Sequence, residues 1–361
     1  VHSHPSKNHV VGGIVKVYLS CLLFLLIGAQ AIGVEYNDRA ELQQFVRELV
    51  VEHGFDESSL YGIFDQAVYK QTVIDAISRP AEKALQWKEY RKIFLTDSRI
   101  RDGVKFWQSN RATLARAEEK YGVPAAVVVA VIGVETLYGK RMGNYRVLDS
   151  LTTLAFDYPP RGVFFRSQLT EFLLLVREGN HDITKLMGSY AGAMGYGQFI
   201  PSSYRDFAID FDDDGIRDIW SNPVDAIGSV ANYLQQHGWR KGEPISSRAR
   251  VSGNEFSHLF NKDLKPSMTL KELTMKGVVP VERYDGLLEA TPIKLTGEHG
   301  SEYWLGLYNF YVITRYNHSK LYAMAVYQLS TELALQKAVS RMSTSRKTTS
   351  KKDVVNRAGS P

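Results

Sequence analysis

The stretch Pro124-Ala-Ala-Val-Val-Val-Ala-Val-Ile-Gly-Val-Glu135-Thr-Leu-Tyr-Gly139 constrains this chain more than any other. From Ala125 to Val134 every residue except Gly133 is aliphatic. Pro124 suits the first turn of a helix, where its missing N–H costs nothing, and Gly139 suits the stop. The spacing therefore predicts a buried helix with Glu135 near its carboxyl end. A carboxyl group projecting from apolar surroundings loses hydration when it ionises, so its pKa is expected to rise. A group that stays protonated near neutral pH can serve as a general acid. The bland alternative is a surface Glu at a helix end, and the rest of the chain has to decide between them.

With 361 residues the chain can bury a full core in two or three domains. Its formal charge of +5 is unevenly spread: residues 1–31 hold +2 and the tail 337–361 holds +6, which leaves the body at −3. A nucleic-acid binder needs a basic face on its body, so that class is excluded. Cys21 is the only cysteine, which rules out a disulfide framework or a thiolate metal cluster. Lys7 and Lys16 precede an apolar run from Val17 to Gly28 and then Ala29-Gln30-Ala31. That pattern reads as a secretory signal peptide over 1–31, with export of the body. A retained membrane anchor is one alternative. Lipidation of Cys21 is another, disfavoured because apolar residues 22–27 continue beyond it.

Residues 36–118 read as mostly helical. Asp38 is placed to cap a helix bearing Leu42, Phe45, Val46 and Leu49, and Asp56 to cap the next. A third apolar spacing runs from Val104 to Leu114. Beyond the Glu135 helix, residues 146–160 read as a helix ended by Pro159-Pro160, and 164–176 as an amphipathic helix. No strand pattern interrupts 40–180. The segment 223–234 is helical again and ends at His237-Gly238. From 243 to 300, short β-rich pieces separated by Gly and Pro predict a small strand-containing insert. Helical character is expected to return at Tyr303. The tail, 339–361, is rich in Ser, Thr, Lys and Arg without apolar periodicity and is expected to be disordered. The fold class is thus mainly α, of α+β type.

Two further stretches carry chemistry. Gly188-Ser-Tyr-Ala-Gly-Ala-Met-Gly-Tyr-Gly-Gln198-Phe is too rich in glycine for an ordinary helix and lacks the Gly-Lys-Ser/Thr of a phosphate cradle. It fits a groove wall that accepts a sugar chain, with Ser189, Tyr196 and Gln198 as neutral hydrogen-bonding groups. A tight helix–helix crossing fits equally well. Asp210-Phe-Asp212-Asp-Asp214-Gly215-Ile216-Arg-Asp218 places oxygens at positions 1, 3, 5 and 9 of an EF-hand-like loop, with Gly at position 6 and the Ile216 carbonyl at 7. Position 12 is Ser221 instead of Glu, and Asp225 can close the shell only if the loop runs longer. Structural Ca²⁺ binding is the sharper reading, a solvated acidic turn the plainer one. No organic cofactor is indicated.

Together these pieces resemble the membrane-bound lytic murein transglycosylase B family, of the lysozyme-like glycoside hydrolase family 103 type. The resemblance rests on Val131-Ile-Gly-Val-Glu135-Thr, on Ala191-Gly-Ala-Met-Gly-Tyr-Gly-Gln-Phe199 with Pro201-Ser-Ser-Tyr204, on Pro223-Val-Asp-Ala-Ile-Gly-Ser-Val-Ala-Asn-Tyr233, and on Ile313-Thr-Arg-Tyr-Asn-His-Ser319. These stretches occur in family order over roughly residues 40–335. The resemblance implies a lysozyme-like catalytic core (119–242 and 301–317), an additional helical domain (36–118, with a helix returning over 318–338) and a small β-containing domain. It maps one catalytic acid/base onto Glu135. Ser189, Gln198, Tyr233, Tyr316, Asn317 and Tyr322 fall where the family lines its glycan groove, and the calcium loop maps onto Asp210, Asp212, Asp214, Ile216 and Asp225. The implied partner is the peptidoglycan strand, with envelope or cell-wall synthesis proteins as further candidates.

Most glycosidases use two carboxylates; the resemblance implies one. That suffices if the substrate supplies its own nucleophile, the C6 hydroxyl of N-acetylmuramic acid, giving a 1,6-anhydro product. Two rivals stand beside this reading. A lysozyme-type hydrolase would use water and a second carboxylate, with Asp149, Asp157 and Glu171 as candidates. A non-catalytic peptidoglycan-binding protein would tolerate loss of Glu135.

Overall fold

The computed structural model describes residues 36–79, 85–253 and 256–358, with side chains as far as 339. The expected leader and Cys21 lie outside the described residues. Six helices come first: α1 (Ala40–His53), α2 (Glu57–Phe64), α3 (Gln71–Ser78), α4 (Trp87–Phe94), α5 (Asp97–Ser109) and α6 (Arg111–Tyr121). The Asp56 carboxylate accepts the Ser59 N–H at the start of α2, as the cap pattern predicts. Asp38, by contrast, lies in a short 3-10 turn and the N-cap of α1 is Arg39, which makes no side-chain cap bond. The spacing from Val104 to Leu114 spans two helices, because the chain turns at Asn110.

The apolar run forms α7 (Ala125–Thr136), and every residue of it is buried except Ala126 and Glu135. Pro124 stands just before the helix rather than within its first turn. Hiding a Val side chain from water contributes about 1.5–3 kcal/mol, so this helix is anchored along its whole length. It ends three residues before Gly139. Leu137 and Tyr138 take left-handed conformations (φ 52° and 62°), and their N–H groups close onto the Gly133 and Ile132 carbonyls.

A two-stranded pair follows, β1 (Tyr145–Arg146) with β2 (Met187–Gly188), enclosing α8 (Val147–Asp157) and α9 (Gly162–Gly179). This pair interrupts a region read from sequence as purely helical. It is too short to leave an alternating pattern. Then come α10 (Pro201–Phe207) and α11 (Pro223–Gln236). The insert contains β3 (Ser246–Val251), β4 (Met268–Thr269), α12 (Leu270–Met275), β5 (Val278–Pro280), β6 (Glu289–Gly297) and β7 (Gly300–Gly306). They make one antiparallel sheet in the order β4-β6-β7-β3-β5. Strand β7 extends six residues past the expected end of the insert, so Tyr303-Trp-Leu belong to the sheet, not to a helix. The β6–β7 hairpin pairs Thr291 through Gly297 with Gly306 through Gly300, and that ladder outweighs the local helical spacing.

The chain returns through α13 (Tyr308–Tyr316) and α14 (Lys320–Ala358). The last helix runs through most of the segment expected to be disordered. That segment lacks apolar periodicity, but it also holds no Pro or Gly before Gly359 to stop a helix begun on a packed stem. No helix among the described residues is long and apolar enough to cross a membrane.

One hydrophobic cluster reaches from Leu42 of α1 through α7 to Leu333 of α14, so the first helices and those around Glu135 share an interior. A second, smaller cluster, including Leu270, Leu273, Val278 and Leu305, closes the insert. The fold is mainly helical with a small sheet, as the sequence predicts. Leu329 of α14 is fully buried. Leu329→Ala is expected to lower stability by about 2–5 kcal/mol, read as a shift in the midpoint of urea unfolding.

Candidate active site

Glu135 is the penultimate residue of α7, half-buried among fully buried neighbours. Its Oε1 accepts a 2.6 Å hydrogen bond from the Tyr322 hydroxyl, across 187 positions of sequence. Tyr322 is only 2% exposed. Its ring lies nearly parallel to that of Tyr316, with centroids 6.4 Å apart and planes 9° apart. The Tyr316 hydroxyl donates to the Gly197 carbonyl at 2.6 Å, tying α13 to the glycine-rich loop. A Cβ on Gly197 would stand 2.7 Å from that hydroxyl, so the residue has to lack one. Tyr233 of α11 packs on Tyr316 with centroids 4.6 Å apart and donates its hydroxyl to the Arg315 carbonyl at 2.6 Å.

Burial is the main cause, and the Glu135 carboxylate the next, of Tyr316 and Tyr322 hydroxyl pKa values well above 10. Both phenols therefore stay protonated and remain donors at any pH where the protein works. A tyrosine that points its O–H at a carboxylate fixes where that carboxylate sits.

The glycine-rich stretch is a compact loop, not a helix crossing. Met194 bridges to Gly188 and to Phe199, and the loop closes on β2. Ser189 and Gln198 build this loop: the Ser189 hydroxyl accepts the Ala191 and Ala193 N–H groups, and the Gln198 side-chain amide donates to the Met142 and Gly195 carbonyls. Gln198 itself is left-handed, φ 50°. Tyr196 covers Gly139 with its ring, and its carbonyl accepts the Thr136 hydroxyl at 2.9 Å. Thr136, next to Glu135, also accepts the Gly139 N–H, so one buried side chain locks the turn that ends α7 to the loop. Asn317 directly follows Tyr316, half-buried at the end of α13. Glu135, Tyr322, Tyr316 and Tyr233 thus form one connected cluster, while Ser189, Tyr196 and Gln198 shape the wall beside it.

Sequence reading did not single out Arg99 or Thr136. Arg99 of α5 is buried and hydrogen-bonds through its guanidinium to the Gly133 carbonyl in the last turn of α7. A cation there opposes the negative end of the helix dipole. Tyr138 turns back under the same turn and fills the space that side chains on Gly103 and Gly133 would occupy. An Arg in a helix and a Thr after a Glu are too common to flag such roles.

The three candidate second carboxylates are occupied elsewhere. Asp149 is paired with Arg146 and accepts the Val68 N–H, Asp157 binds Arg39 and Tyr36, and Glu171 pairs with Arg205.

In the acidic loop, Asp210, Asp212 and Asp214 each bring an oxygen within 4.8 Å of the others. Asp210 accepts the Asp214 and Gly215 N–H groups, which curls the loop around these carboxylates. Three converging carboxylates suit a hard cation with oxygen ligands. Asp225 is fully buried, and its two oxygens accept the Phe211 and Asp218 N–H groups at 2.7 and 2.8 Å. It staples the two ends of the loop. Desolvation is the largest influence on it and raises its pKa. Ile216 is exposed at the loop tip.

A mainly helical fold that holds one carboxylate at the end of a buried helix, beside a glycine-rich wall, is of the lysozyme-like class. The chain belongs to the transglycosylase SLT domain family, whose model matches residues 37–331. It is 41% identical over 312 residues to the membrane-bound lytic murein transglycosylase B of Escherichia coli, covering 84% of this chain and 85% of that one. The structure of the soluble lytic transglycosylase SltB1 from Pseudomonas aeruginosa shares 51% identity at a TM-score of 0.79, over 82% of this chain and 99% of that one. The Escherichia coli lytic transglycosylase Slt35, solved in complex with calcium, shares 41% identity at a TM-score of 0.76, over 85% and 96% of the two chains.

Tyr322→Phe removes the hydroxyl on Glu135 and keeps the ring. An acid/base group typically supplies about 10²- to 10⁴-fold, and loss of its orienting donor is expected to lower kcat by about 10- to 100-fold. The circular dichroism spectrum should not change. An unaltered kcat would mean that this bond does not position Glu135.

Proposed function

We propose that Glu135 is the single acid/base of this lytic transglycosylase, which cleaves the β-1,4 bond between N-acetylmuramic acid and N-acetylglucosamine without consuming water. The observation that carries the assignment is the Tyr322 hydroxyl bond to Glu135 at the end of α7. Protonated Glu135 gives its proton to the glycosidic oxygen, and the bond to the muramic C1 breaks. The N-acetyl oxygen of the muramic residue can steady the positive C1. Glu135, now a carboxylate, takes the proton of the C6 hydroxyl as that oxygen closes onto C1. The product carries a 1,6-anhydro ring and the acid is restored, so protons and electrons balance. Asn317 and the tyrosines around it are proposed to orient the N-acetyl group. Ser189, Tyr196, Gln198 and Tyr233 are proposed to border the glycan.

A water-using hydrolase needs a second carboxylate across the cleft. The engagement of Asp149, Asp157 and Glu171 by arginines weighs against that reading. The substrate lies outside the cytoplasmic membrane, which places the body in the periplasm and agrees with the leader read over 1–31. Envelope or cell-wall synthesis proteins are proposed as further partners on the ground of the shared substrate alone.

Mass spectrometry of muropeptides released from purified peptidoglycan tests the assignment. The protein should release products one water lighter than reducing-end muropeptides. Glu135→Gln should lower their yield by about 10²-fold or more. Reducing-end products would instead establish a hydrolase, and undiminished activity of the variant would refute the role of Glu135.

We also propose that Asp210, Asp212, Asp214 and the Ile216 carbonyl hold a structural Ca²⁺, with Asp225 fastening the loop behind them. The ion supplies charge balance to a crowded carboxylate turn and takes no part in the chemistry. Calcium at about 100 times its Kd would stabilise the fold by about 2.7 kcal/mol. A rise in Tm is therefore expected on adding Ca²⁺ to chelator-treated protein, and it should be lost in Asp210→Asn. A Tm indifferent to Ca²⁺ would remove the proposal.

A further inference from the structure

A hollow of about 400 Å³ opens beside the glycine-rich wall. Its size is within the range of about 300–1,000 Å³ usual for small-ligand sites. Met142 and Gly143 border it from the turn after α7, His181 and Met187 from the stretch that runs from α9 into β2, and Ile216 and Trp220 from the acidic loop. Trp220 is partly exposed, yet its ring is fixed from several sides. The indole N–H donates to the Met187 carbonyl at 3.2 Å, and the ring packs on Tyr204 with centroids 5.4 Å apart. His181 meets the same ring edge-on, with centroids 5.6 Å apart and planes 64° apart. The Trp220 backbone N–H donates to the Asp218 carboxylate at 2.8 Å. An aromatic ring held in this way loses little freedom when a ligand settles on it.

The hollow continues the wall. The Met142 carbonyl accepts the Gln198 side-chain amide at 3.1 Å, and Gly143 packs so tightly on Gly188 and Ser189 that no Cβ fits between them. Met187 stands two residues before Ser189. The backbone that presents Ser189 and Gln198 therefore also forms the rim of the hollow. Its lining is mostly apolar, with Lys185 and Asp218 as one charge of each sign. Lys185 is paired with Asp182 at 2.9 Å. Burial lowers the His181 pKa below its ordinary value, so that ring is neutral near pH 7. A space of this kind favours a neutral ligand with one apolar face and a polar rim. A hexosamine ring has that form: C–H groups cover one face and hydroxyls surround it.

We propose that this hollow seats a further N-acetylglucosamine ring of the strand being cleaved, stacked on Trp220 and remote from the bond that breaks. The inference rests on the transglycosylase reading above. The C–H face of the sugar lies on the indole and on the Met142 and Met187 side chains, while His181 and Asp218 meet its hydroxyls. N-acetylglucosamine is the neutral sugar of the strand, which matches the balanced charge of the lining. Contacts made so far from the reacting atoms are the same before and during bond breaking, so they act on KM and not on kcat. The hollow thus makes the enzyme favour strands long enough to reach it.

The test compares long glycan strands, freed of peptides by an amidase, with a tetrasaccharide purified from the same strands. The wild type should show the lower KM on long strands. Trp220→Ala should raise KM on long strands by about tenfold, leave kcat unchanged and leave both constants on the tetrasaccharide as they are. Trp220 also packs on Tyr204, so a second variant guards against a folding defect. Met187 has an exposed side chain, and Met187→Glu puts a charge into the hollow without touching the core. Its Tm should match that of the wild type, and its KM should rise on long strands alone. A wild type with equal KM on both substrates would overturn the proposal, as would a Met187→Glu protein that loses nothing or loses equally on both. Failure of the underlying reading is separate: the wild type would then make no anhydro product from either substrate.

Discussion

The arrangement depends on a hydrogen bond between two helices far apart in sequence. Tyr322 stands near the start of the last helix and Glu135 near the end of the seventh, and a 2.6 Å contact joins them. That contact exists only because α14 packs along α7, burying Val326, Leu329 and Leu333 against the central cluster. The phenol is desolvated and cannot ionise in any ordinary pH range, so it is a fixed donor. A fixed donor in a low-dielectric setting is worth more than the same group in water, and it pays no reorganisation when the reaction starts. Apolar packing along α7 and α14 thus sets the position of the Glu135 carboxylate.

The wall beside Glu135 is built by the same logic with backbone in place of side chains. The turn after α7 accepts two successive left-handed non-glycine residues, Leu137 and Tyr138, and Gln198 in the facing loop is left-handed as well. Such conformations cost of order 1–3 kcal/mol each and persist only where surroundings over-determine them. Here Thr136 bonds to both the turn and the loop, Arg99 grips the Gly133 carbonyl, and Tyr138 fills the space beneath. Gly143, at φ 97°, faces the Gly188 carbonyl so closely that a Cβ would come within 2.0 Å of it. Close backbone contact between two loops is what holds the wall in place.

The chemistry of one carboxylate follows from what the other carboxylates are doing. Asp149, Asp157, Glu171 and Asp225 are all committed to arginines or backbone N–H groups. These engagements fit the reaction proposed above, in which the substrate's own C6 hydroxyl rather than water is the nucleophile. The acidic loop and the insert lie outside the tyrosine cluster. The loop leads into α11, which carries Tyr233, and the insert leads into α13, which carries Tyr316.

Much of this was legible in the chain itself. An aliphatic run broken only by Gly133 and ending in Glu135 has no stable place except an interior helix, so its burial follows from composition alone. The carboxylates at alternate positions from Asp210, with Gly215 where the loop must bend, announced a turn lined with oxygens for a similarly local reason. Where local pattern competed with distant partners it misled: Tyr303-Trp-Leu looked helical but joined β6 in a ladder. The tail looked unstructured but continues α14, because no Pro or Gly before Gly359 stops the helix. Which groups surround Glu135 was decided only by tertiary structure. The roles of Tyr322, Arg99 and Thr136 arise from contacts with residues remote in sequence, and a contact between remote segments leaves no periodicity to read.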